Sequence, residues 1–197
     1  MDVHEVERLQ REIDVLTERL SAARRQVVPE PVGEYEFKES DGTSVTLREL
    51  FGDKRDLLVI HNMGRSCPYC TMWADGFNGI VDHLNDRTAF VLSSPDEYGA
   101  MRVLAECRAW RMRMVSHART TFARDMGFTV QAGRHNPGVS AYRLTDDGTI
   151  VRTGRADFGP MDAFCPAWHL FDLLQDGVGN WKPAINCSKC RDSQCMC

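Results

Sequence analysis

The chain has 197 residues, of which 43% are apolar and 26% charged, and its net charge is −4. That material suffices for one domain with a core and some extensions, and falls short of two full domains. A mildly acidic balance gives no reason to expect nucleic acid as partner, no run of about 18 apolar residues could span a membrane, and the polar start MDVHEVER reads as no secretory leader.

A cytoplasmic address is therefore expected, where thiols are kept reduced. Eight cysteines in that setting point to catalysis, metal binding or burial rather than to a disulfide scaffold. Basic residues are biased, 20 Arg against 4 Lys, with six Arg between Arg102 and Arg124. Such a run reads first as a solvated surface and second as an anion site.

In chain order, residues 2–27 predict one helix. Val6, Leu9, Ile13, Leu16, Leu20, Ala23 and Val27 recur at spacings of three and four, an a/d stripe three heptads long. Pro29 and Pro31 end it. A stripe so narrow either pairs with its copy or packs across the domain, and the first reading gives a homodimer as the expectation. The segment YEFKE from Tyr35 reads as a short strand, Asp41-Gly42 as a turn and Leu47–Phe51 as a helical turn. Asp56–His61, nearly all apolar, has the length of a buried parallel strand. Residues 71–84 read as helix and Thr88–Ser93 as a second buried strand. Ser94-Pro95-Asp96-Glu97 then has the pattern of a capping box with proline in the first turn, opening a helix to about Trp110. Met112–Ser116 is a third strand, followed by a helical turn at Thr121–Met126. Val139–Thr145 and Thr149–Thr153 flank Asp146-Asp147-Gly148 as a β-hairpin. A last helix is expected over Pro166–Leu174.

This order predicts an α/β protein, a mixed β-sheet sandwiched by helices. Three units follow: an N-terminal heptad helix (1–31), the α/β domain (32–182) and a Cys-rich tail (183–197). Parallel strands would gather the loops at 62–70, 93–95 and 116–120 on one edge, bringing Ser94, Ser116 and His117 towards the cysteines.

The stretch NMGRSCPYCTMW, Asn62–Trp73, holds a C-x-x-C directly after a strand and at a helix start. Unpaired N–H groups and the helix dipole there favour thiolate over thiol. Cys67 is the expected nucleophile, with Arg65 as a nearby cation and Pro68 suited to the first turn. Cys70, one turn on, is placed to resolve a mixed disulfide. His117 and His61, each at a strand end, read first as hydrogen-bonded core histidines and second as candidates for moving the thiol proton. The same pair could instead be half of a zinc site, or inert.

With these residues in view, the chain resembles the thioredoxin-like superfamily, notably its peroxiredoxin branch. It is more closely similar to the uncharacterised bacterial thioredoxin-like family catalogued as domain of unknown function 899. The likeness is carried by the first helix ending in Ala23-Arg24-Arg25, by Tyr35–Phe37, Asp41–Thr43, Leu47–Phe51, Cys67–Phe77 and Ser116–Phe122, with WADGF at Trp73–Phe77 the most specific run. It implies a thioredoxin-like fold and a redox site, without a substrate. Peroxiredoxins carry Pro and Thr or Ser ahead of the reactive cysteine where Ile60 and Gly64 stand here, so peroxidase activity is not expected. Thioredoxins place a cis-proline opposite the dithiol; Pro137 lies near that place and Val139 is the candidate for it.

Of the other residues, Trp73, Trp110 and Trp168 read as core or groove aromatics, and Asp75 as a helix-surface carboxylate or an acid assisting Cys70. Cys107 reads as a small buried apolar residue. Cys165, before Pro166 at a helix start, could be acidified. In the tail, Cys187, Cys190, Cys195 and Cys197 offer four soft ligands for zinc or copper(I), a dithiol arm passing electrons to Cys67, or a disordered end with no defined role. The resulting expectation is a thiol–disulfide oxidoreductase needing no cofactor. It would act on a disulfide or other oxidised-sulfur substrate and be recharged by a thiol reductant of thioredoxin or glutathione type. The rivals are a metal-binding protein using the tail and a non-enzymatic binding or sensor module.

Overall fold

The computed structural model describes residues 2–131 and 133–185. Helix α1 (Val3–Arg24) is capped by Asp2, whose carboxylate accepts the His4 N–H. None of its residues is buried, and the stripe of Val6, Leu9, Ile13, Leu16 and Leu20 stands 40–57% exposed. After it come β1 (Glu30–Pro31), β2 (Glu36–Glu39), β3 (Ser44–Thr46), a 3-10 turn at Glu49–Phe51 and β4 (Asp56–His61). Helices α2 (Pro68–Gly79) and α3 (Val81–Arg87) lead to β5 (Ala89–Ser94), α4 (Tyr98–Arg108) and β6 (Arg113–Ser116). The chain continues through α5 (Phe122–Asp125), β7 (Thr129–Gln131), β8 (Arg134–His135), β9 (Gly138–Leu144), β10 (Ile150–Asp157) and α6 (Pro166–Phe171).

Eight strands form one sheet in the order β1-β10-β9-β4-β5-β6-β2-β3, and β7 pairs with β8 apart from it. β4, β5 and β6 run parallel, while β9 lies antiparallel to β4 with His61 opposite Gly138 and Ile60 opposite Val139. The two central strands are almost wholly apolar because both their faces are covered. Alternation along them divides the core. Ile60, Phe90, Leu92 and Met114 pack with Cys70, Trp73 and Phe77 of α2, Met101 and Leu104 of α4, and Trp168 of α6. Leu57, Val59, Val91 and Val115 face the other way, onto Phe37, Leu50, Phe51, Phe122, Phe128 and Tyr142. The hairpin of β9 and β10 falls where the Asp146-Asp147-Gly148 turn placed it.

Three departures from the sequence pattern have clear causes. The helix expected over 71–84 breaks at Ile80, the boundary between α2 and α3. The capping box does not form: α4 starts three residues later, with Glu97 at the cap and no side-chain bond to its N–H groups. Asp96 is engaged elsewhere, as described below. The short β1, β3, β7 and β8 were not foreseen, because two or three residues carry no period.

The candidate redox site

β4 ends at His61 and the chain turns immediately into the dithiol loop. Asn62 Oδ1 accepts the Gly64 N–H at 2.6 Å, and Asp96 Oδ2 accepts the Arg65 N–H at 2.7 Å. The same Asp96 oxygen takes the Ser94 hydroxyl at 2.9 Å, and the Ser116 hydroxyl donates to the Asp96 carbonyl at 2.6 Å. The loops after β4, β5 and β6 are thus tied together through one residue, Asp96, by its carboxylate and its main-chain carbonyl, on the sheet edge where parallel strands end. Gly64, at φ 103°, sits against Pro95 and the Asp96 carboxylate, with room for no side chain of size.

Cys67 is the N-cap of α2 and Pro68 its first residue. The sulfur accepts the Cys70 N–H at 3.2 Å, an orphan donor of the first turn. Its pKa is brought down from 9.0 to about 7, first by the Cys70 thiol as hydrogen-bond donor, then by the main-chain N–H groups of Cys70 and Tyr69, against partial burial. Cys70 is 3% exposed and receives the Met63 N–H at 3.4 Å. Its own pKa is pushed up, chiefly because its proton is held by Cys67 and secondly by burial. Neither cysteine is in a disulfide. The pair consists of a half-exposed sulfur poised to ionise and a buried one that keeps its proton.

The remaining expected participants are distributed differently. The Arg65 side chain is exposed and makes no hydrogen bond or ion pair among the described residues; only its main chain is fixed, by Asp96. What lowers Cys67 is chiefly the hydrogen bonding of the first turn. His61 and His117 are not brought to the dithiol. His61 shares the face of Val59, stacked on Phe128 at 3.8 Å and bonded through Nε2 to the Ser140 hydroxyl at 2.9 Å. His117 Nδ1 meets the Ser93 hydroxyl at 2.8 Å on that same face. The sheet therefore stands between both rings and α2. Burial lowers both pKa values, His117 to about 3, so neither ring is charged near neutral pH.

The run Trp73–Phe77 proves to be a brace. Trp73 Nε1 donates to Asp162 at 2.9 Å, Asp75 receives Arg108 Nε and Trp110 Nε1 at 2.8 Å each, and Phe77 packs on Phe90 and Phe158. These contacts fix α2 against α4 and against the segment before α6, and Asp75 does not assist Cys70. Trp110 and Trp168 are core residues, Cys107 is half-buried, and Cys165 caps α6 yet is buried with its pKa raised rather than lowered, first by desolvation. Val139, opposite Ile60, packs in the cluster that holds Cys67, and no cis peptide bond occurs among the described residues. Cys187, Cys190, Cys195 and Cys197 lie outside the described residues. Among those described, no group of three or more His, Cys, Asp or Glu side chains could hold a metal, and no helix is long and apolar enough to cross a membrane.

A mixed sheet whose first parallel strand delivers a dithiol to a helix N-terminus defines a thioredoxin-like α/β protein, and solved structures bear out that fold. Peroxidoxin BcpB from Mycobacterium tuberculosis is similar at 21% identity and a TM-score of 0.52, over 62% of this chain and 80% of that one. PrxQ from Xylella fastidiosa, as a cysteine mutant, gives 10% identity and a TM-score of 0.53, over 66% and 85% of the two chains. Peroxiredoxin Q from Xanthomonas campestris gives 19% and 0.50, over 62% and 79%. Within this fold the chain belongs to DUF899, a family of bacterial proteins of unknown function, whose profile matches residues 4–193. No curated protein matches it.

Proposed function

We propose that this protein is a thiol–disulfide oxidoreductase working through Cys67 and Cys70. The observation that carries the reading is the Cys67 sulfur at the α2 cap, holding the Cys70 N–H at 3.2 Å with its pKa near 7. A thiol of that pKa is about half ionised near pH 7, and its thiolate is still a competent nucleophile. It attacks one sulfur of a substrate disulfide, forms a mixed disulfide and expels the other sulfur as thiolate. Cys70 then attacks the Cys67 sulfur. Its proton goes to the departing substrate thiolate, and the Cys67–Cys70 disulfide is left. Two electrons have passed to substrate, and an external thiol reductant of thioredoxin or glutathione type returns them.

In this scheme Arg65 is a rim cation and no histidine is given a proton-transfer role. No metal or organic cofactor takes part in the exchange itself. The setting is a reducing compartment such as the cytoplasm, which keeps the dithiol charged. We also assign α1 to pairing with a second copy, because an amphipathic helix draws most of its stability from covering its apolar face.

Insulin reduction in the presence of dithiothreitol tests the chemistry. Wild type should accelerate precipitation of the insulin B chain and Cys67→Ser should not. Cys70→Ser should accumulate a mixed disulfide at Cys67. Equal activity in wild type and Cys67→Ser would overturn the proposal.

A further inference from the structure

The pairing assigned to α1 leaves open which way the two helices run, and the charges beside the stripe decide it. With Val6, Ile13 and Leu20 at a and Leu9, Leu16 and Ala23 at d, the flanking g positions are Glu5, Glu12, Arg19 and Gln26. The e positions are Val3, Gln10, Thr17 and Arg24. We propose that α1 pairs with α1 of a second copy in antiparallel orientation, with Ile13 against Leu16 of the other chain, Leu9 against Leu20, and Val6 against Ala23. This rests on the pairing reading above and adds the direction to it.

In that register every stripe residue from Val6 to Ala23 is covered and the two helices overlap from Glu5 to Arg24. The g positions then face one another, so Glu12 of each chain meets Arg19 of the other. Gln10 meets Thr17, Val3 meets Arg24, and Glu5 comes at the end of the other helix, where Gln26 follows it; no like charges are opposed. In a parallel pair, g faces the e residue five further along. Glu5 would then meet Gln10 and Glu12 would meet Thr17, with no attraction gained. Arg19 would meet Arg24 of the other chain twice, at a cost. Within its own helix Arg19 has only Val15, Leu16, Ala22 and Ala23 three and four residues away, and it makes no ion pair or hydrogen bond among the described residues. Its charge is therefore available to a partner. Glu12 does pair with Arg8 on its own helix, a contact between exposed side chains that leaves room for a second cation.

The orientation has a consequence for the whole assembly. Each α/β domain follows the C-terminal end of its helix, so antiparallel pairing sends the two domains to opposite ends of a rod about 33 Å long, taking about 1.5 Å per residue. Each dithiol would then act alone, away from its copy.

Sedimentation equilibrium on the full chain at low ionic strength tests this, because single charge changes have opposite signs in the two arrangements. Arg19→Glu should weaken an antiparallel dimer on the order of tenfold, since two attractions become repulsions. Combining it with Glu12→Arg should restore the affinity. Arg19→Glu sits among uncharged helix neighbours, so an unchanged circular dichroism spectrum shows that α1 itself is intact. A tighter dimer in Arg19→Glu means a parallel pair relieved of its Arg19–Arg24 repulsion, and an unchanged one means that these charges do not face each other; either overturns the orientation. A wild-type chain that stays monomeric at high concentration would instead overturn the pairing.

Discussion

At the scale of single residues, two sulfurs three positions apart differ by what surrounds them. The largest influence on Cys67 is the Cys70 thiol, so Cys70→Ala should move the Cys67 pKa upward towards the ordinary 9.0. Iodoacetamide labelling followed by mass spectrometry would show Cys67 reacting more slowly at pH 7 in that variant. Burial holds His117 neutral down to about pH 3, which predicts a rate profile without a histidine inflection near pH 6.5. Gly138 marks a different constraint. A Cβ there would collide with Phe128 and lie 2.5 Å from the Ala156 carbonyl oxygen. Gly138→Ala should therefore cost about 1–3 kcal/mol by overpacking, readable as a lower urea midpoint. The cysteines were legible in the sequence because a helix start is a local event. Both histidines are the hydrogen-bonded core residues that their sequence position first suggested; strand-end position says which edge a residue occupies, and only the parity with Ile60 and Val59 says which face.

Among the elements, the loop carrying Cys67 is tied to the loop after β5 by Asp96, thirty-one residues from Arg65. Asp96→Ala removes the acceptor of the Arg65 N–H and of the Ser94 hydroxyl. Loss of such bonds costs about 1–3 kcal/mol where a donor is left without a partner. Faster exchange of the Arg65 amide, with the β4 amides unchanged, is the expected outcome; unchanged exchange at Arg65 would deny the tie. This role also explains why Ser94-Pro95-Asp96-Glu97 looked like a capping box and is not one. The residue types that cap a helix are those that close a loop across strands, and only the tertiary partner distinguishes the two uses. The central strands and the hairpin, by contrast, were readable from apolar runs and turn residues alone.

For the molecule as a whole, the strand–helix order was enough to give the class of fold, and the similarity of the chain to peroxidoxin BcpB confirms it at 21% identity. The run Trp73–Phe77 was recognisable as distinctive without its reason being visible. That reason lies in Asp162, Arg108 and Trp110, which come close to α2 only in the folded domain. The molecule then reads as a braced α/β domain presenting one acidified sulfur at its sheet edge, with a helical arm whose apolar stripe stands exposed. The most direct test of its central claim is the pH dependence of alkylation at Cys67 in the fully reduced protein. The account predicts a rate that rises through a midpoint near pH 7 and levels off above it, and that vanishes in Cys67→Ser. A midpoint at the ordinary thiol value of 9.0 would contradict it.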